Sequence, residues 1–327
     1  MMITRLWFAP VLSALFAAVV TATAPVAAQN YPSRPVKLVV PYPPGGASDF
    51  MARILAQKLP EALGGQFYVE NVAGAGGTIA AGQVARAAAD GHTLLIATID
   101  VVVQPIIKSK VPYDPFKGFT PVTLVVTSPE VIAVHPSVPA KTMKELIELL
   151  KANPGKYSYA SPGYGTTPHL ACEWLKLDYG IDITHVPFQG TAPAVQSVLA
   201  GHTPVLHDIV PAIVPHVRQG TMRALGIAAP KRSPFLPDVP TLAEAGIPGH
   251  EVLFWLIVLT PAGTPQPIVD TLNREVARIL NLTDVKESLK TIGFDPASST
   301  PDAAAAYMRA ETDRWTTVVH DANIKID

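Results

Sequence analysis

Cysteine is nearly absent from this sequence of 327 residues, since Cys172 is the only one. A single cysteine excludes an intramolecular disulfide and leaves no thiol cluster that would hold a metal ion. An excess of charge of one sign is missing too, because 25 basic residues stand against 26 acidic ones. We therefore predict neither a nucleic-acid partner nor a polybasic patch that binds membranes.

Long apolar runs are missing as well, except near the N-terminus. Arg5, the apolar residues 6–20 and the small residues that end at Ala28 follow the order of a secretory signal peptide. We predict residues 1–28 to be a signal peptide that is removed on export to the periplasm. A membrane anchor is disfavoured, because the apolar run is short for a bilayer span and contains Pro10. The mature chain is then expected to be soluble.

The most informative stretch begins with a β-branched run at residues 36–40, which is typical of a buried strand. Prolines end this run, and Gly45 and Gly46 favour a turn, after which Ser48 and Asp49 suit the N-cap of a helix. The N-terminus of a helix presents free backbone N–H groups and a positive dipole end. Such a place suits a small anion, although the same pattern also occurs in an ordinary connection between a strand and a helix.

This pattern of strand, glycine turn and helix recurs downstream. In the N-terminal part, residues 66–70 and 93–97 are strand-like, and residues 71–77 form a second glycine-rich turn. We therefore predict an α/β fold with mainly parallel sheets flanked by helices. Ligands of such sheets bind beyond the carboxyl ends of the strands, which is where Thr98 lies.

The second half of the chain repeats the arrangement. Apolar runs at residues 122–126 and 131–135 surround a plausible crossing to a second lobe, and residues 251–259 suit the return. Thr167 is expected to cap one helix there, with Pro168 as its first residue. Thr142, Thr264 and Thr300 have the pattern of further helix caps. Strands are also predicted over four short runs, at residues 157–160, 183–186, 204–210 and 222–228.

Other chemistries are less well supported by the sequence. It has no phosphate-binding G-x-x-x-x-G-K-[ST] motif, no G-x-S-x-G elbow and no H-x-x-x-H spacing for a metal. A Cys172–His169 pair on one helix face remains open as a nucleophile and base, but a buried structural cysteine is the alternative. Aromatic residues near the turns favour either cavity walls or ordinary packing: Tyr42, Phe50, Tyr164 and Phe188.

Six blocks in order resemble the Bug family, the extracytoplasmic receptors of tripartite tricarboxylate transporters. The blocks are YPSRPVKLVVPYPPGGASD (residues 31–49), VENVAGAGGTIAAGQVARAAADGHTLL (69–95), YASPGYGTTPHL (159–170), HVPFQGTAPAVQSVLAG (185–201), PDVPTLAEAGIPG (237–249) and PAGTP (261–265). The resemblance implies a two-lobed periplasmic-binding-protein fold with a ligand held in the cleft. It also implies residues 29–126 plus 254–327 as lobe 1 and residues 127–253 as lobe 2.

The resemblance further implies that the two lobes hold a carboxylate through backbone amides. The predicted ligand-binding residues are Tyr42, Gly46, Ala47, Ser48, Asp49, Thr98, Gly163, Tyr164, Gly165, Thr166, Thr167, His169, Gln189, Gly190, Thr191, Ala192 and Asp208. No catalytic residue, metal or cofactor is predicted.

The expected function is capture of a small carboxylate and its delivery to the integral membrane subunits of a transporter. Aromatic residues favour an aromatic mono- or dicarboxylate such as terephthalate over citrate-like acids or amino acids. The protein is expected to be a monomer. Two alternatives stay open: a sensory module that docks on a histidine kinase, and a periplasmic hydrolase.

Overall fold

Strands and helices alternate along most of the chain in this computed structural model, which describes residues 31–325. The predicted signal peptide lies outside these residues. The strands are β1 (Val36–Val40), β2 (Phe67–Asn71), β3 (Thr93–Ala97), β4 (Phe119–Val134), β5 (Ser158–Ser161), β6 (Thr184–Pro187), β7 (Val205–Ile209), β8 (Arg223–Ile227), β9 (Leu253–Pro261) and β10 (Asp295–Pro296). The α-helices are α1 (Ala47–Leu63), α2 (Thr78–Ala85), α3 (Asp100–Ile107), α4 (Met143–Ala152), α5 (Thr167–Tyr179), α6 (Thr191–Leu199), α7 (Val210–Arg218), α8 (Gln266–Leu280), α9 (Thr283–Ile292) and α10 (Pro301–Asp321).

The sheet consists of two parallel groups that are joined by two long antiparallel strands. In the first group β1 lies between β2 and β3 and is parallel to both. In the second group β5 lies between β6 and β7 and is again parallel to both. Strands β9 and β4 link the groups, so the order along the sheet is β2-β1-β3-β9-β4-β7-β5-β6. Each parallel group with its helices forms a lobe, which confirms the predicted fold class.

Strand β4 connects the two lobes. Its first part pairs with β9 as far as Pro129, and its second part pairs with β7 and β8. The two apolar runs that flank residues 127–129 therefore belong to one continuous strand of 16 residues. The polar Thr127 and Ser128 interrupt the apolar pattern, but their backbone stays paired opposite Trp255 and Phe254.

Several helices begin one or two residues away from the predicted caps. Gly46, rather than Ser48 or Asp49, is the N-cap of α1. Thr166, rather than Thr167, is the N-cap of α5. At the start of α8, the Thr264 hydroxyl donates to Pro261 O at 2.7 Å instead of accepting from the helix. The other two predicted caps are confirmed, because the hydroxyls of Thr142 and Thr300 accept from backbone N–H groups of their helices.

The interior is apolar on both sides of the central strands. Strands β3 and β9 are buried along almost their whole length. Trp255 of β9 and Trp315 of α10 are among the largest fully buried side chains. Helix α10 packs against β4 and also against α3 and α5, so the C-terminal helix contacts both lobes. Within residues 31–325, none of the helices has the length and apolar character needed to cross a bilayer.

Candidate functional site

A cavity of about 720 Å³ lies at the carboxyl ends of the parallel strands. Its wall includes the turns that follow β1 and β3 in one lobe and β5, β6 and β7 in the other. Helices α1, α5, α6 and α7 begin at this wall. Because the first N–H groups of a helix have no partner within the helix, several helix N-termini face one space. This is the position at which ligands bind in parallel α/β sheets.

Most of the predicted binding residues line this cavity. They are Tyr42, Gly46, Ala47, Ser48, Thr98, Thr166, Thr167, Gln189, Gly190, Thr191, Ala192 and Asp208. The hydroxyls of Tyr42 and Thr98 lie 3.2 Å apart, so the β1–α1 turn and the end of β3 are in contact there. The structure thus brings residues from separate turns and both lobes together around one cavity.

Asp49 is the first predicted residue that does not line the cavity. Its Oδ2 accepts from Gly45 N–H and Arg53 Nε, both at 2.9 Å, and its Oδ1 accepts from Asn71 Nδ2 at 3.1 Å. Burial raises the pKa of Asp49, but these hydrogen bonds outweigh it and hold the pKa below its ordinary value. The hydrogen bonds of Asp49 therefore stabilise the β1–α1 turn, and its carboxylate does not line the cavity.

Gly163, Tyr164, Gly165 and His169 do not line the cavity either, although Thr166 and Thr167 beside them do. The Gly165 N–H donates to Nδ1 of His169 at 3.1 Å, and the Gly163 N–H donates to Ser161 Oγ at 3.2 Å. Burial, with a smaller contribution from the Lys176 charge, lowers the pKa of His169 to about 3. A neutral His169 can accept a hydrogen bond at Nδ1. The N–H group of Gly165, which we predicted to bind the ligand, already donates to this nitrogen.

The sequence did not point to several residues of the wall. Asp100 lies just beyond β3, at the sheet edge that the pattern indicates, so its position was predictable in principle. Four of these wall residues come from scattered segments. Phe254 belongs to β9, Ile292 to the end of α9, Phe294 to the segment after it and His216 to the last turn of α7. No local pattern marks these residues, because they reach the cavity only through the packing of distant segments.

The wall contains no lysine or arginine among the described residues, whereas two buried carboxyl groups belong to it. Burial raises the pKa of Asp100 to about 8, against smaller opposing effects of its own backbone N–H and Lys108. Burial likewise raises the pKa of Asp208 to about 7, although Ile209 N–H and the Thr191 hydroxyl donate to it. An anion in this cavity would therefore depend on backbone N–H groups and hydroxyls.

This arrangement predicts that carboxylate binding weakens as the pH rises through the pKa of Asp208, about 7. Deprotonation adds a negative charge to the wall, and the protonated form is the one that tolerates an anion. At an effective dielectric constant near 20, a charge several ångströms away costs about 1–2 kcal/mol, roughly tenfold in affinity. Calorimetric titrations of wild type and Asp208→Asn across this range are the measurement. The variant should lose the part of the decline near pH 7, whereas Asp100 in the same wall, with a pKa of about 8, should still weaken binding at higher pH. An unchanged decline near pH 7 would contradict the assignment to Asp208.

The structure does not pair Cys172 with His169 as a nucleophile and base. Cys172 Sγ lies 3.5 Å from Nδ1 of His207 rather than beside His169. Burial is the main cause that raises the pKa of the Cys172 thiol well above its ordinary value, so the thiolate is disfavoured. Ser161 Oγ lies 2.7 Å from His185 Nε2, but Ser161 is fully buried and does not line the cavity.

Metal binding and aromatic cavity walls are the two remaining interpretations. Among the described residues, no three His, Cys, Asp or Glu side chains are grouped so that they would hold a metal ion. Of the aromatic residues expected as walls, Tyr42 and Phe50 line the cavity, but Tyr164 and Phe188 do not. Tyr164 instead packs edge-on against the rings of His169 and His185.

Solved structures with the same architecture include two with bound acids. One is Rpa4515 of R. palustris with adipate, at 36% sequence identity and a TM-score of 0.85, covering 90% of this chain and 99% of that one. Another is MatC of Rhodopseudomonas palustris with bound malate, at 36% identity and a TM-score of 0.81, covering 88% and 100%. The fold and the cavity between its lobes define a two-lobed solute-binding protein of the periplasmic-binding-protein type.

The family follows from the sequence match. A model described as the tripartite tricarboxylate transporter family receptor, TctC, matches residues 51–324. Protein BugT of Bordetella pertussis is 36% identical over 314 residues, which cover 95% of this chain and 96% of BugT. The chain belongs to the TctC receptor family, and the resemblance to Bug proteins is confirmed. Members of this family are receptors in transport, not enzymes.

Proposed function

We propose that this protein captures a small carboxylate between its lobes and delivers it to the membrane subunits of a tripartite tricarboxylate transporter. The observation that carries the proposal is the cavity wall, which combines several helix N-termini with hydroxyl groups and has no lysine or arginine among the described residues. Charge-assisted hydrogen bonds to an anion contribute about 1.5–3 kcal/mol each. Three or four of them support micromolar affinity, about −8 kcal/mol, after the costs of ordering.

In this proposal the carboxylate binds first at the turn before α1. Helix α1 has 17 residues, and Gly46 at its N-cap lines the cavity with Ala47 and Ser48. The second lobe then closes over the ligand through the N-termini of α5, α6 and α7. A ligand stabilises the closed form only if it contacts both lobes. Residues 29–126 plus 254–327 and residues 127–253 are the proposed lobes, and the division of β4 pairing near Pro129 supports this boundary.

The rest of the ligand is proposed to be apolar, as in an aromatic or aliphatic dicarboxylate. Phe50, Phe254, Ile292 and Phe294 supply apolar wall to the same cavity, and such surfaces suit a hydrocarbon body. Related proteins were solved with adipate and with malate. Terephthalate remains the aromatic candidate.

Calorimetry against adipate, malate, terephthalate, citrate and glutamate tests the proposal. The protein is first unfolded and refolded so that a co-purified ligand is removed. We expect at least one carboxylate to bind with micromolar Kd, and we expect Cys172→Ser to bind like wild type. Absence of binding by every acid to folded protein would contradict the receptor proposal, whereas turnover that Cys172→Ser abolishes would favour the hydrolase.

The proposed location is the periplasm, with removal of residues 1–28. Mass spectrometry of the exported protein should find Gln29 as the first residue; an intact N-terminus would contradict the signal peptide. The protein is proposed to act as a monomer, and the closed form is proposed to dock on the transporter. Affinity capture of membrane proteins with and without ligand tests this partner, because recovery of a sensor kinase instead would favour the sensory alternative.

A further inference from the structure

Two of the predicted glycine-rich turns lie outside the wall of the cavity. Residues 74–77, before α2, and residues 163–165, before α5, do not line the cavity. Both turns instead lie against Gln104 of α3. The first turn belongs to the same lobe as α3, and the second belongs to the opposite lobe.

The Gln104 carboxamide lies close to both turns and forms a hydrogen bond with the second of them. Its side chain is only 1% exposed, and its Nε2 donates to the backbone carbonyl of Tyr164 at 3.1 Å. On the other side, Lys108, which directly follows α3, donates from Nζ to Ala75 O at 2.6 Å, which holds the end of α3 against the first turn. One buried amide therefore provides a hydrogen bond from one lobe to the other beside the cavity.

Neither turn has room for a side chain at this contact. A Cβ atom on Gly165 would lie 2.7 Å from Ile107 Cδ1 and 2.8 Å from Gln104 Nε2. A Cβ atom on Gly76 would lie 2.5 Å from Gln104 Nε2. Both glycines also have positive φ, +77° at Gly165 and +64° at Gly76, a conformation that L-residues rarely adopt. Glycine at these positions is thus explained by close approach to α3 rather than by a ligand.

We propose that Gln104 and these two turns form an interlobe clasp that stabilises the closed receptor and positions the start of α5 over the ligand. Thr166 and Thr167 follow Gly165 directly and do line the cavity, so the clasp connects α3 to the part of the second lobe that covers the ligand. Opening of the lobes breaks the bond from Gln104 to Tyr164. The inference rests on the proposed capture between two lobes, but the contact itself needs no ligand.

The test measures lobe opening in ligand-free protein by electron–electron double resonance. Spin labels are attached at Gln57→Cys of α1 and Lys144→Cys of α4, both exposed positions in different lobes, in a Cys172→Ser background. Gln104→Ala and Gln104→Met, which keeps a side chain of similar length, both remove the donor. Loss of one hydrogen bond, about 0.5–1.5 kcal/mol, should raise the ratio of open to closed protein roughly twofold to tenfold.

Gln83→Ala is the matched control, because Gln83 donates to Glu70 within the first lobe at 3.3 Å and should leave the distance distribution unchanged. Thermal melts identify a variant that fails to fold. If Gln104→Ala fails to fold, Gln104→Met still tests the hydrogen bond. Distributions of both Gln104 variants that superimpose on wild type would overturn the clasp. Because no ligand is added, that result is independent of whether the carboxylate panel succeeds.

Discussion

Gly46→Asp should weaken carboxylate binding far more than Gly46→Asn, which has the same shape without the charge. Gly46 lines the cavity at the N-cap of α1, with ordinary φ of −87°, and no atom lies within 4 Å of an added Cβ. Both side chains fit that space and have nearly the same shape, so neither should impair folding, and any capping hydrogen bond to the first N–H groups of α1 is available to both. They differ in charge, and only Gly46→Asp places an anion where the ligand carboxylate is proposed to bind.

The expected magnitude is large because two like charges would share a partly buried site. Two unit charges 4 Å apart repel by about 4 kcal/mol at an effective dielectric constant of 20. Allowing for adjustment of the side chain, Gly46→Asp should bind at least about a hundredfold more weakly than Gly46→Asn, about 2.7 kcal/mol. Calorimetry with whichever of adipate, malate and terephthalate binds wild type measures this ratio. Equal losses in both variants would mean that α1 does not hold the anion and that the effect is steric.

Glu311→Ala should cause the largest loss of stability among the substitutions considered. Oε2 of Glu311 accepts from Nε1 of Trp255 at 3.1 Å and from Nε1 of Trp315 at 3.0 Å. Both indoles are fully buried, and one comes from β9 while the other comes from α10. The carboxylate therefore ties the C-terminal helix to a strand that links the lobes.

Alanine would leave two buried N–H donors without an acceptor. Each such donor costs about 1–3 kcal/mol, so we expect the free energy of unfolding to fall by about 2–5 kcal/mol. Urea denaturation followed by tryptophan fluorescence is the measurement. Glu311→Gln is the control, because it keeps a side-chain oxygen at the same length and should lose less than half as much. Similar losses in the two variants would show that the indole hydrogen bonds do not carry the effect.

Much of the architecture follows from local patterns in the chain. Strands β1, β3 and β9 are apolar runs bounded by turn residues, and helices such as α4 and α10 begin at threonine caps that the structure confirms. Six sequence blocks also identify the receptor family, which the family model then matches over residues 51–324. Such features depend on neighbours within a few residues, because periodicity and capping are properties of single elements.

The composition of the cavity wall does not follow from local patterns, because side chains of the folded protein compete with the ligand for the backbone N–H groups. A glycine turn before a helix looks the same in the chain at Gly46 and at Gly165. Only in the folded protein does His169 accept the Gly165 amide while Gln104 closes over that turn, whereas Gly46 stays at the cavity wall. Phe254, Phe294 and His216 likewise reach the wall through packing between segments far apart in sequence. The chain alone therefore specifies its elements, its family and the edge of the sheet at which a ligand is expected. Which backbone amides remain available there is settled by hydrogen bonds and contacts of the folded protein, such as those of His169 and Gln104, and the glycine pattern of the turns does not record them.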